Sequence, residues 1–121
     1  MKDEHDELVR GAASFGEPQR DFRGFDLSRS LLQSSQLNGA DLSEANLSRA
    51  SLSGSYFRGA NFSHANLKKA SLSTADLREA NFTGADLTEC DLNGSVLLGG
   101  TLAGANPVSY THLTLPTKLS V

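Results

Sequence analysis

One cysteine, three histidines and many hydroxyls are the residues through which this 121-residue chain could do chemistry. A thiol reacts as thiolate, which needs exposure and a cationic neighbourhood. Cys90 stands in a slot that other units fill with Ala, so a small, inward, inert thiol is expected. A metal centre needs several ligands converging on one point. His5, His64 and His112 lie far apart, and His64 is expected alone at an outward corner. A Ser or Thr nucleophile needs an adjacent base held by a third group. No serine here sits in such a frame, and no glycine-rich phosphate loop appears. We assign no catalytic, cofactor-binding or metal residue, expect no cofactor and no small-molecule substrate, and read the chain as not an enzyme.

The elements that must position these residues follow from a period. Leu and Phe number 25, and seventeen of them recur every fifth residue without a gap. They are Phe22, Leu27, Leu32, Leu37, Leu42, Leu47, Leu52, Phe57, Phe62, Leu67, Leu72, Leu77, Phe82, Leu87, Leu92, Leu97 and Leu102. Two residues before each stands a small side chain from Ser30 onward, usually Ala, as at Ala40, Ala65 and Ala80. The residue between is often Asp or Asn, and the two that follow are polar, charged or Gly. In a helix a step of five turns the side chain by about 140°, smearing the apolar positions around the circumference. In a strand, residues five apart face opposite sides. The chain must instead bend once per unit, always toward the same side. Such a path closes into coils, and each coil buries its apolar edge only against the next. The fold class expected is an all-β solenoid.

Composition excludes several other classes. The length suits one domain. A net charge of −3 points to neither nucleic acid nor membrane. A single Cys cannot form an internal disulfide, and no apolar run approaches the ~20 residues of a membrane helix. The acidic opening, Asp3, Glu4, Asp6 and Glu7, is unlike a secretory signal. A cytoplasmic protein without membrane insertion is expected.

The units Ala40-Asp41-Leu42-Ser43-Glu44 and Ala45-Asn46-Leu47-Ser48-Arg49 carry a signature. They resemble the pentapeptide-repeat family, written A-(D/N)-L-x-x, and the resemblance covers residues 20–106. It implies a right-handed quadrilateral β-helix with four units per coil, hence about four coils in this bacterial-looking sequence. Residues twenty apart then stack. Phe22, Leu42, Phe62, Phe82 and Leu102 form one inward column, and three of the four core Phe fall in it. The Asp and Asn before each Leu are expected to bond local backbone at turns. Glycines in the last slot, such as Gly59 and Gly84, are expected to ease the corner.

The two ends break the rule. Residues 1–19 are read as an N-terminal cap, a short helix with acids in its first turn, ended by Gly16 and Pro18. Phe15 and Phe25 are expected near the first coil. Residues 107–121 read as a frame through a transposase-based sequencing adapter. They are expected to be an unstructured artefactual tail on a truncated chain. That would leave the last coil uncapped and prone to self-association.

Outward charge is the remaining signal. With twenty residues per coil, Arg29, Arg49 and Lys69 stack at one corner, with Glu89 next and Lys68 beside them. Arg58 and Arg78 stack on another side, with Glu79 nearby, while Asp76 and Asp91 stand apart. A ladder of like charges invites an anionic partner, so Arg29, Arg49, Lys68 and Lys69 form the candidate interaction edge. The function expected is a rigid protein-interaction or scaffold module with an unidentified protein partner. The alternative, a DNA-mimicking binder of a type II topoisomerase of the kind some family members are, needs a strongly negative surface. Residues 20–106 hold nine acids against eight bases, so that alternative is disfavoured.

Overall fold

The computed structural model describes residues 20–107 and 119–120. The expected N-terminal cap over 1–19, with Phe15 and His5, lies outside them, as does His112.

The unit Ala65–Lys69 shows why five residues are enough, because each of its N–H groups finds a separate acceptor. Ala65 N–H donates to Phe62 O at 3.0 Å and closes a turn. Asn66 N–H donates to Ala45 O in the preceding coil at 2.9 Å. Leu67 and Lys69 N–H donate to Asp86 O and Thr88 O in the following coil at 2.8 and 2.9 Å. Lys68 N–H, the one that faces outward, is taken by the Asn66 Oδ1 at 3.0 Å. A chain bending this sharply would otherwise orphan several donors.

The same Asp or Asn bond recurs at Asp41, Asn46, Asn61, Asn81, Asp86 and Asp91, among others, at 2.9–3.1 Å. The acid or amide before each Leu is therefore a turn device. Asp86 accepts from both the N–H and the hydroxyl of Thr88, and these bonds hold its carboxyl below the usual carboxylate range, with the Lys68 charge adding to the effect.

Between coils the backbone pairs in parallel, from Asp21↔Asp41 to Asn81↔Thr101, always twenty residues apart. Two-residue strands carry the ladder onward. Strand β1 (Asp86–Leu87) pairs with β3 (Asn106–Pro107), again twenty apart. Strand β2 (Gly100–Thr101) pairs with β4 (Leu119–Ser120) in a register of nineteen. The absence of structure expected from 107 onward thus does not hold at Pro107, Leu119 and Ser120.

The tube is lined as the period requires. All seventeen register residues are buried, with the Ala of the small slots between them. The rings of Phe62 and Phe82 stack at 4.8 Å and 2°. Phe57 meets Phe62 edge-on at 5.1 Å, and Phe25 meets Phe22 in the same way at 5.5 Å. Two of the serines in the small slots turn their hydroxyls back onto their own turn, Ser55 donates instead to Leu32 O of the preceding coil at 2.9 Å, and the buried Ser30 hydroxyl has no partner among the described residues. Ser35 and Ser95 donate to Leu32 O and Leu92 O at 2.7 Å. The space enclosed by Phe22, Leu42 and Leu52 leaves about 0 Å³ for a water molecule.

The corners hold a feature that composition does not announce. The last residue of every unit from Gly24 to Gly104 has positive φ, and nine of these seventeen are not Gly. With the N–H one residue after donating to the carbonyl two residues before, this is the geometry of a type II turn. A left-handed non-Gly residue costs roughly 1–2 kcal/mol. Gly59 has no atom within 4 Å of where a Cβ would stand. Gly59→Ala should therefore lower stability by about 1 kcal/mol through backbone conformation alone. Thr74, branched at Cβ with φ 57°, is the costliest occupant of the slot. Thr74→Gly should raise the melting temperature, and denaturant midpoints of the two variants shifting in the same direction would contradict this account.

Candidate interaction surface

The four outward corners of the tube differ in a way that singles out one of them. The first is lined by Gly24, Glu44, His64, Gly84 and Gly104. The third holds Ser34, Gly54, Thr74 and Gly94, and the fourth Gly39, Gly59, Glu79 and Gly99. The second holds Arg29, Arg49, Lys69 and Glu89, with φ between 57° and 62° and no glycine at all. Every rung of this corner therefore bears left-handed strain, and the rungs rise by roughly 4.8 Å.

Arg29, Arg49, Lys68 and Lys69 are all exposed. Among the described residues none of the four makes an ion pair; the pairs present involve Arg23, Arg58 and Arg78. Three like charges at one strand spacing repel by about 1 kcal/mol per neighbouring pair in water if their heads stand 4 Å apart. Arg29, Arg49 and Lys69 thus form a cationic ladder without an ion pair on a strained corner, while the Lys68 charge already acts on the Asp86 carboxylate.

The arginines of the fourth side differ. Arg78 grips Asp76 with two bonds, Nε to Oδ1 at 2.8 Å and Nη2 to Oδ2 at 2.7 Å. Asp76, which sequence reasoning set apart, is held below the ordinary carboxylate range, chiefly by that side-chain bond. Arg58 lies 3.8 Å from Glu79, the neighbour that stacking predicts. The signal for the Asp76–Arg78 pair was a spacing of two around a buried Leu77, which puts both side chains on one outer face. Asp21 and Arg23 repeat it at 2.9 Å, and Arg23 also approaches Asp41 at 3.8 Å.

An acid titration follows from these pairs. Asp76 and Asp86 have folded-state values below 3.8, so the unfolded chain binds protons more readily. Their contribution is present above the unfolded value and is lost as pH falls through the depressed folded value. The melting temperature should therefore drop below about pH 4, and Asp76→Asn should flatten that drop while costing about 0.2–1 kcal/mol at neutral pH.

Between the second and third corners lies a low, hydroxyl-rich face. Ser53 Oγ is 2.9 Å from both Ser71 Oγ and Ser73 Oγ, and the latter two are 3.4 Å apart. Exposed apolar side chains occur singly at Leu31 and Tyr56 and as the neighbours Val96 and Leu98. In an open hollow of about 560 Å³ beside Asp21, Arg23, Phe25 and Glu44, Asp21 and Arg23 are paired with each other.

The residues with catalytic potential stay apart. Cys90 is buried and its thiol is pushed up to about 12, mainly by desolvation, so it carries no thiolate at neutral pH. His64 stands exposed at the first corner, its ring over the space that Gly84 leaves open. Among the described residues no three His, Cys, Asp or Glu side chains gather where they could hold a metal ion. Nor is any helix among them long and apolar enough to cross a membrane.

Comparison with known proteins agrees with this geometry. Pentapeptide repeats, in eight copies, match residues 20–49 and 55–94. A pentapeptide repeat protein from the Arabidopsis thaliana thylakoid lumen is 33% identical, with a TM-score of 0.66, over 78% of this chain and 70% of that one. Rfr23, from the cyanobacterium Cyanothece 51142, is 27% identical with a TM-score of 0.64, over 74% of this chain and 63% of that one. QnrB1, a plasmid-mediated fluoroquinolone resistance protein, shares the fold alone, at 16% identity and a TM-score of 0.54 over 78% of this chain and 67% of that one. No curated protein matches. A buried five-residue register, parallel pairing at twenty residues and these matches together mean that the chain belongs to the pentapeptide-repeat family, whose fold is the right-handed quadrilateral β-helix.

Proposed function

We propose that this chain is a non-enzymatic scaffold of the cytoplasm, a rigid protein-interaction module whose contact edge is Arg29, Arg49, Lys68 and Lys69. The observation that carries the reading is the unpaired cationic ladder on the one corner that has no glycine. Charge kept where it repels and strains the backbone suits a surface that is neutralised by something else. The interior supports the reading too, since a tube packed with Leu, Phe and Ala has no room for a substrate.

The DNA-mimic alternative is weaker. Residues 20–106 are nearly balanced in charge, and their clearest electrostatic feature is positive where a mimic must be negative.

A photo-crosslinking residue placed at Arg49 tests the proposal. In cells it should give a discrete protein adduct that weakens with salt, whereas the same residue at Gly59 on the opposite corner should not. Adducts at neither position would remove the scaffold reading, and loss of supercoiling by a type II topoisomerase on addition of the chain would favour the mimic instead.

A further inference from the structure

We propose that the partner of the second corner is an acidic α-helix lying along the axis of the tube, with its carboxylates on the ladder and its body over the serine face; this rests on the scaffold reading above. Pitch favours a helix. The rungs at Arg29, Arg49 and Lys69 are twenty residues apart in chain and one strand spacing, roughly 4.8 Å, apart in space. Two steps therefore cover about 9.6 Å. An α-helix repeats a side-chain direction every turn, about 5.4 Å, so two turns cover about 10.8 Å. The difference of about 1 Å is within the reach of flexible Arg and Lys side chains. An extended peptide returns to the same face about every 6.7 Å, and its mismatch over the same two steps is about 4 Å.

The seat fits a cylinder as well. Next to the two middle rungs, Ser51, Ser53, Ser71 and Ser73 present short side chains on adjacent coils, the last three joined by hydroxyl contacts, while the same column carries the exposed Leu31 beside Arg29 and Asp91 beside Glu89. A helix can approach such a low floor closely while its acidic stripe turns toward the corner. Lys68, on the other side of the corner, is a fourth cation, whose charge Asp86 already opposes in part. Glu89 closes the ladder with the opposite sign and so sets direction. A helix with carboxylates at i, i+4 and i+7 and a Lys at i+11 matches the four rungs in one orientation only.

The probe is a synthetic helical peptide of about 18 residues, long enough to hold its turns, with that Glu, Glu, Glu, Lys stripe and a fluorophore at one end. Anisotropy against the full chain should show binding at least tenfold tighter than that of a peptide of equal composition with its charges spread around the helix. Arg49→Gln combined with Lys69→Gln should abolish the difference without lowering the melting temperature. Replacing the peptide Lys by Glu should weaken binding, and Glu89→Lys should restore it.

Equal binding of the scrambled peptide, or no binding of either, overturns the proposal. So does tighter, ladder-dependent binding of a heparin fragment or a single-stranded oligonucleotide, which would identify an anionic polymer as the occupant. Crosslinking at Arg49 with no preference for the striped peptide would sink the helix while leaving the scaffold reading intact.

Discussion

Leu67→Asp should unfold the stack or split it into separate halves. Leu67 is fully buried, in the middle of the described coils, with neighbouring units above, below and on either side. The variant places a carboxylate where the lining is Leu, Phe and Ala, all buried. An uncompensated buried charge costs about 3–5 kcal/mol. Whole domains are stable by only about 5–15 kcal/mol. The position matters as much as the size. A solenoid is held by contacts between adjacent coils alone, so a broken central coil cannot be bypassed by distant contacts. Circular dichroism should show loss of the cooperative melt, or a melt some tens of degrees lower. An unchanged melt would mean that Leu67 does not face inward, and the five-residue lining would have to be abandoned.

Phe62→Ala should cost about 3–5 kcal/mol. Phe62 joins the two ring contacts of the middle coils, flat on Phe82 and edge-on to Phe57. The gap left by the ring could be filled only by moving backbone that is hydrogen-bonded to the coils on both sides. The cavity cost therefore adds to the lost transfer energy in nearly full measure. Tyr56→Ala, six residues earlier on an exposed outer position, is the matched control and should change stability by less than about 0.5 kcal/mol. Denaturant midpoints for the two variants that differ by less than this would show that the stacked rings contribute no more than a surface tyrosine.

The two predictions depend on features of unequal visibility in the chain. Leu67 was marked inward by its register alone, because a five-residue period is incompatible with a helix or a flat strand and leaves only a path that bends toward one side. The small slots followed for the same reason, since a tube lined by Leu and Phe has room for little else. Ring contact between Phe62 and Phe82 required the further step that units twenty apart stack, and the resemblance to a family supplied it. The role of Asp and Asn before each Leu was also legible, as short polar side chains bond the backbone two residues on. The bond from Asn66 to Lys68 shows this use directly.

Other features were invisible in principle. Composition suggested that glycines turn the corners, yet Arg49, Thr74 and Glu79 adopt the same left-handed conformation. Local preference opposes that choice, and the hydrogen bonds made to the next coil by the N–H groups of these residues impose it. Pairing of Asp76 with Arg78, and the contrast with the bare ladder on the second corner, likewise arose only when the outer faces were assembled. So did the register of nineteen between Gly100–Thr101 and Leu119–Ser120.

What the sequence by itself determined is the radial order of this protein: which side chains line the tube and which stand outside it. That order depends on hydrophobic period, a property of neighbours along the chain. What only the tertiary structure decided is which outward charges are satisfied and which are left for a partner. Ion pairing depends on distances between residues brought together by stacking and on the conformation forced at each corner, and neither is a local property.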